Sequence, residues 1–175
     1  DRWRDTLKMA CGIFAVLKQQ FFVHAGALAY AGRAVLILGR SGAGKSTLAS
    51  AFDPAWVIND DFVWLHCHQG DWVVDSTPFS STRGLALRPK RARLTDLVFL
   101  GAWGELSLEP LEKGKMLRVL VEQAALPTGI DHLDQSYFHG AVELVQSLPA
   151  WQLAFGLNRE LTREFLGRKI WGLGQ

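Results

Sequence analysis

Nine residues, Gly39-Arg40-Ser41-Gly42-Ala43-Gly44-Lys45-Ser46-Thr47, constrain this chain more than any other stretch. They satisfy the pattern G-x-x-x-x-G-K-[ST] at every fixed position. Wrapping a backbone around an anion demands this spacing. Glycines allow a turn tight enough to point successive N–H groups at phosphate oxygens. Lys45 adds a compact, mobile charge for the β- and γ-phosphates, and Ser46 offers a hydroxyl to Mg²⁺. The flanks agree. Arg33 to Leu38 is an apolar, β-branched run suited to a buried strand, and Ser46 to Phe52 can open a helix whose positive end faces the anion. The expectation is a nucleotide-binding loop over residues 39–47, with a nucleoside triphosphate and Mg²⁺ as cofactors and Ser46 as a metal ligand; spacing alone does not choose ATP over GTP.

Composition limits the alternatives. A chain of 175 residues suggests one domain with a sizeable core. With 49% hydrophobic and 21% charged residues, disorder is not expected. A net charge of +2 is too small to argue for nucleic acid, and no apolar run is long enough to span a bilayer. Cys11 and Cys67 do not make a disulfide framework, so a reducing cytoplasm is the simplest setting. The chain starts at Asp1 without a Met, which raises the expectation of a trimmed N-terminus.

In chain order, residues 3–17 suit an amphipathic helix, with Trp3, Leu7, Ala10, Phe14 and Leu17 at the helical period and Arg4, Asp5 and Lys8 opposite. Phe21 to Tyr30 suits a strand, and Ala31-Gly32-Arg33 is too short for anything but a hairpin into the next strand. A hairpin here departs from a simple Rossmann-like order, in which parallel neighbours need a long crossover. Strands are expected at Ala55 to Ile58, Phe62 to His66, Trp72 to Val74, Leu85 to Leu87, Leu94 to Leu100 and Trp151 to Phe155, with Gln69-Gly70-Asp71 as a turn and Asp75 to Thr82 as a polar loop. Helices are expected at Glu109 to Ala125, Ile130 to Leu148, and from an Asn158 cap to about Ile170. The chain divides into an N-terminal helix (1–20), a strand-rich nucleotide-binding core (21–108) and a mostly helical C-terminal part (109–175) of one domain.

Asp60 and Asp61 end a short apolar strand after the loop. A phosphate-loop enzyme needs a carboxylate near Mg²⁺, usually at a strand terminus. Where the backbone bends, one acid can hold the metal while the other takes a proton from a hydroxyl. Among the basic residues Arg83, Arg88, Lys90, Arg91 and Arg93, Arg83 stands out, because beside Gly84 it could reach a transferring phosphoryl group. His24, alone on an apolar strand, fits a hydrogen-bonded core residue better than a catalyst. His66-Cys67-His68 offers too few ligands for zinc.

Together, His24-Ala25-Gly26-Ala27-Leu28, Gly39 to Thr47 and Asn59-Asp60-Asp61 resemble the catalytic domain of HPr kinase/phosphorylase. The resemblance is closer to the short HPr-kinase-related proteins, some of which lie in biosynthetic clusters for modified peptides such as lasso peptides. It implies an α/β fold with a mixed sheet, a P-loop kinase domain of the HPr kinase or phosphoenolpyruvate-carboxykinase-like type. It also implies an ATP-dependent serine kinase acting on a protein or peptide. By the same resemblance the catalytic residues are Asp60 as general base, His24 beside it, Lys45 and Arg83; Asp61 joins Ser46 at the metal. Relatives in that family form oligomers, which extends the expectation to a homo-oligomer. The sequence departs from the family at Ser81, which stands where the family has Glu, and the C-terminal third matches poorly. A small-metabolite kinase of the same fold and a nucleotide-binding regulatory ATPase module are the alternatives.

Overall fold

The computed structural model describes residues 2–82, 90–126, 131–156 and 158–174. Helix α1 (Arg2–Leu17) leads into β1 (Phe21–Val23) and β2 (Gly26–Tyr30). Ala31 and Gly32, with φ of 50° and 78°, return the chain as β3 (Arg33–Leu38). Two successive positive φ values make the primed kind of turn whose twist matches the strands it joins. The loop then enters α2 (Lys45–Ala49), followed by β4 (Val57–Asn59) and a second hairpin, β5 (Val63–His68) and β6 (Asp71–Ser76). Its turn, Gln69-Gly70, again has two positive φ values. The remainder is β7 (Arg91–Trp103), β8 (Ser107–Pro110), α3 (Lys113–Glu122), α4 (Asp131–Ser147), β9 (Ala150–Phe155) and α5 (Arg159–Trp171).

The sheet is mixed, in the order β1-β5-β6-β7-β3-β2-β4. β3 pairs antiparallel with β2, as the short connection requires, and parallel with β7. β7 is long enough to branch: its first residues pair with β6, while Leu97 to Trp103 pair in parallel with β9, which carries β8 at its edge. Both faces are covered. In β3, Ala34, Leu36 and Leu38 belong to a core with Val16, Met116, Leu133 and Leu144, under α1, α3 and α4. Val35 and Ile37 belong to the opposite core with Leu48, Leu166 and Ile170, under α2 and α5. Alternate residues of one strand thus feed two cores, which explains why β3 is apolar at every position after Arg33. Among the described residues no helix is long and apolar enough to cross a membrane.

Several sequence expectations need correction. Phe21 to Tyr30 is not one strand but breaks at His24-Ala25, because β1 pairs with β5 whereas β2 pairs with β3 and β4. The helix after the loop stops at Ala49, well short of Phe52. Glu109 and Pro110 lie in β8, laddered to β9, so α3 begins only at Lys113. The apolar stripe of α1 faces outward: Trp3, Leu7, Phe14 and Leu17 are 44–66% exposed. The inward face is Gly12, Ala15 and Val16. A Cβ at Gly12 would stand 1.7 Å from the Ala125 carbonyl oxygen, so the helix lies closer to its neighbour than any larger residue allows. Periodicity identified the stripe but not the side that docks. The expected strand at Leu85 to Leu87, and Ile130, lie outside the described residues.

Candidate active site

The phosphate loop joins β3 to α2 at one end of the sheet. Gly42 and Gly44 have φ of 77° and 97°, which turns the chain back on itself. Gly44 is doubly constrained, since a Cβ there would come within 2.8 Å of the Phe155 ring. Lys45, only 6% exposed, folds onto its own loop and donates to the Gly39 carbonyl at 2.8 Å and the Arg40 carbonyl at 3.3 Å. Burial holds its ammonium below the usual lysine range, against the opposing pull of the Asp61 charge. Both partners are neutral carbonyl oxygens. With α2 only five residues long, the loop amides and Lys45, rather than a long helix dipole, supply the positive end.

Asn59 sets the two acids apart. It is 1% exposed, and its side-chain oxygen accepts from the Asp60 N–H at 2.8 Å and the Asp61 N–H at 3.1 Å. This Asx turn bends the chain as β4 ends. The Asn59 amide donates to the Thr77 carbonyl at 2.9 Å, and the Thr77 hydroxyl donates to the Phe62 carbonyl at 2.7 Å, so the turn is tied to the start of the Thr77–Thr82 loop.

Asp60 is 1% exposed and ringed by that loop. Its Oδ1 accepts from Ser80 Oγ at 2.6 Å and the Ser81 N–H at 3.0 Å. Its Oδ2 accepts from Ser81 Oγ at 2.5 Å and Thr82 Oγ1 at 2.7 Å. Burial pushes the Asp60 carboxyl up, but these four donors together hold it below the usual carboxylate range. Ser81 Oγ also lies 3.0 Å from Ser46 Oγ. Because the Ser81 proton goes to Asp60, the Ser46 hydroxyl is the donor in that contact. Ser46 of the phosphate loop and Asp60 are therefore two hydrogen bonds apart, through Ser81.

Asp61 has different company. His24 Nε2 lies 3.3 Å from its Oδ1, and Lys8 Nζ lies 3.2 Å from its Oδ2. Burial pushes the Asp61 carboxyl up; the hydrogen bonds from His24 and Lys8, with their charges, outweigh it and hold it low. Phe62 underlies both partners: the His24 ring stacks on it at 5.0 Å, and Lys8 Nζ sits 4.2 Å above its centre. The structure thus places His24 at Asp61, not at Asp60 as the sequence resemblance implied. The reason is the strand break, which frees His24 from the ladder and ties its N–H to the Gln123 carbonyl. Arg83 lies outside the described residues.

Lys8, Asn59 as an organiser and the three hydroxyls are site residues that the sequence motifs do not mark. Lys8 had a usable signal: Gly12 and Ala15 follow it at i+4 and i+7, so small residues mark its face as the docking side. Ser80-Ser81-Thr82 is a run of hydroxyls, but nothing in its spacing points to Asp60.

The donors are hard oxygens: a loop hydroxyl and two carboxylates. Among the described residues no three His, Cys, Asp or Glu side chains converge as a metal cage. Mg²⁺ needs no such cage, since it takes one or two protein oxygens and fills its shell with water and phosphate. The hard oxygens present fit Mg²⁺.

No protein-family model matches the chain, and no curated protein matches it in sequence. Among solved structures, the Hpr(Ser) kinase/phosphatase from Coxiella burnetii aligns over 84% of this chain and 88% of its own at 13% identity, with a TM-score of 0.44.

Proposed function

We propose that this chain is an ATP-dependent phosphotransferase that transfers the γ-phosphoryl group to a Ser hydroxyl of a protein or peptide, in a cytoplasmic setting. The observation that carries the proposal is the two-bond link from Ser46 through Ser81 to Asp60, which sets a phosphate cradle beside a carboxylate held among hydroxyls. Gly39 to Thr47 would hold the triphosphate, with Lys45 turning from its carbonyl partners to the phosphates. Ser46 and Asp61 would hold Mg²⁺, which when bound neutralises phosphate charge. Asp61 suits that part because the groups it already holds are a cation and an imidazole. Asp60 suits the base, because the groups it holds are the O–H donors an acceptor Ser would present. His24 acts as a positioning residue through Asp61. Positioning and electrostatics supply most of what such a transfer requires of a protein.

The test is incubation of the purified chain with Mg²⁺, γ-labelled ATP and Ser-containing peptides, read by mass. Asp60→Asn is expected to abolish transfer while nucleotide binding remains, and Lys45→Ala to abolish both. Absence of Mg·ATP and Mg·GTP binding at millimolar concentration would overturn the proposal.

A further inference from the structure

The hydroxyl seated on the proposed base belongs to the chain itself. Ser80, Ser81 and Thr82 all donate to Asp60, but among these three Ser81 is the one that also meets the phosphate loop, at Ser46 Oγ. Ser81 is exposed, and its hydroxyl contact with Ser46 is at the surface. Its Oγ donates directly to Asp60 Oδ2, the contact a general base makes with the proton it takes. Ser81 is covalently held beside the base, so its attack is unimolecular and needs no encounter with a second substrate.

From this we infer that Ser81 is an acceptor in cis: the chain phosphorylates its own Ser81. The inference rests on the phosphotransferase reading above. In the step, Ser81 Oγ bonds to the γ-phosphorus of a nucleoside triphosphate as the bond from that phosphorus to the β–γ bridging oxygen breaks. The Oγ proton passes to Asp60 Oδ2, and the nucleoside diphosphate leaves with the bridging electron pair. The product is a phosphoserine beside Ser46. An external peptide would have to displace Ser81 from Asp60 before it could react, so the modification also competes with transfer to other acceptors.

The experiment uses the purified chain with Mg²⁺ and γ-labelled ATP and no added acceptor. Tandem mass spectrometry locates any label, and the thermal shift caused by a non-hydrolysable ATP analogue reports nucleotide binding independently. One phosphoryl group per chain is expected, located on Ser81, at a rate per molecule that does not change over a tenfold dilution. Ser81→Thr is expected to carry the label on the new hydroxyl, Ser81→Ala to lose it, and Ser50→Ala, whose hydroxyl bonds the Thr47 carbonyl, to keep it. If the analogue binds and an external peptide is phosphorylated but Ser81 stays unmodified, the inference falls and the phosphotransferase reading stands. If label appears on Ser81 only in proportion to protein concentration, transfer in cis is refuted. If the analogue does not bind at all, both fall together.

Discussion

Asp60 and Asp61 are neighbours in the chain, yet they sit in opposite chemistry. Asp60 is enclosed by neutral donors from one loop, and Asp61 by an ammonium and an imidazole from the N-terminal helix and the β1–β2 break. Burial raises both carboxyls, and in both cases the donors win. They win differently: neutral hydrogen bonds are insensitive to salt, whereas ion pairs at partly exposed groups are screened by it. Two adjacent acids can therefore be ionised together without sharing one role, provided the backbone between them is bent. Asn59 does the bending.

The largest expected effect comes from removing the hydroxyl-lined acid. Asp60→Ala removes the shared carboxylate acceptor of three hydroxyls and of the Ser81 N–H. We expect a stability loss of about 2–4 kcal/mol in urea unfolding, unchanged in molar salt, with phosphoryl transfer abolished. A salt-dependent loss would mean that Asp60 is held by charges after all, and the contrast with Asp61 would collapse.

Next is Asn59→Ala, which attacks the separation itself. It removes the acceptor of two backbone N–H groups and the donor to Thr77. The expected cost is about 1–3 kcal/mol, with the carboxylates intact but transfer impaired. Wild-type activity in this variant would show that the bend is not what divides the two acids.

How much of this was legible beforehand follows from the kind of interaction involved. The loop, the β2–β3 hairpin and the Asn158 cap are local, and short-range spacing encodes them; the Asn158 side chain does accept from Leu161 N at 3.1 Å. Asp60 and Asp61 were legible as a pair because a strand end after a phosphate loop is a chemically meaningful place. Their partners were not. Lys8 lies 53 residues from Asp61 and Ser81 lies 21 from Asp60, and each contact depends on docking that no periodicity reports. The outward apolar stripe of α1 is the plainest case: hydrophobic spacing favoured one face, and the close approach permitted by Gly12 selected the other.

Acid titration separates the two sites further. Each carboxyl has a folded pKa below its unfolded one, so each contributes stability that is fully present above the unfolded value and is lost as pH falls through the depressed folded value. Asp60→Asn and Asp61→Asn are both expected to flatten the acid limb of stability against pH, measured by urea midpoint. Molar salt should shrink the wild-type contribution of Asp61 and leave that of Asp60. Equal responses to salt would break the comparison.

The smallest effect is the most diagnostic. Lys8→Met keeps an apolar stem over Phe62 and removes the ammonium from Asp61. Both partners are about one-fifth exposed, so the stability loss should be no more than about 1 kcal/mol and should vanish in molar salt. The functional consequence runs the other way. If Asp61 is the cation-binding carboxylate, Lys8 competes with Mg²⁺ for it, and removing Lys8 should lower the Mg²⁺ concentration needed for half-maximal nucleotide binding by about fivefold, the equivalent of about 1 kcal/mol. If Lys8 instead assists the phosphates directly, the same variant weakens nucleotide binding at saturating Mg²⁺. The sign of that one change decides whether the N-terminal helix guards the metal side of the site or belongs to it.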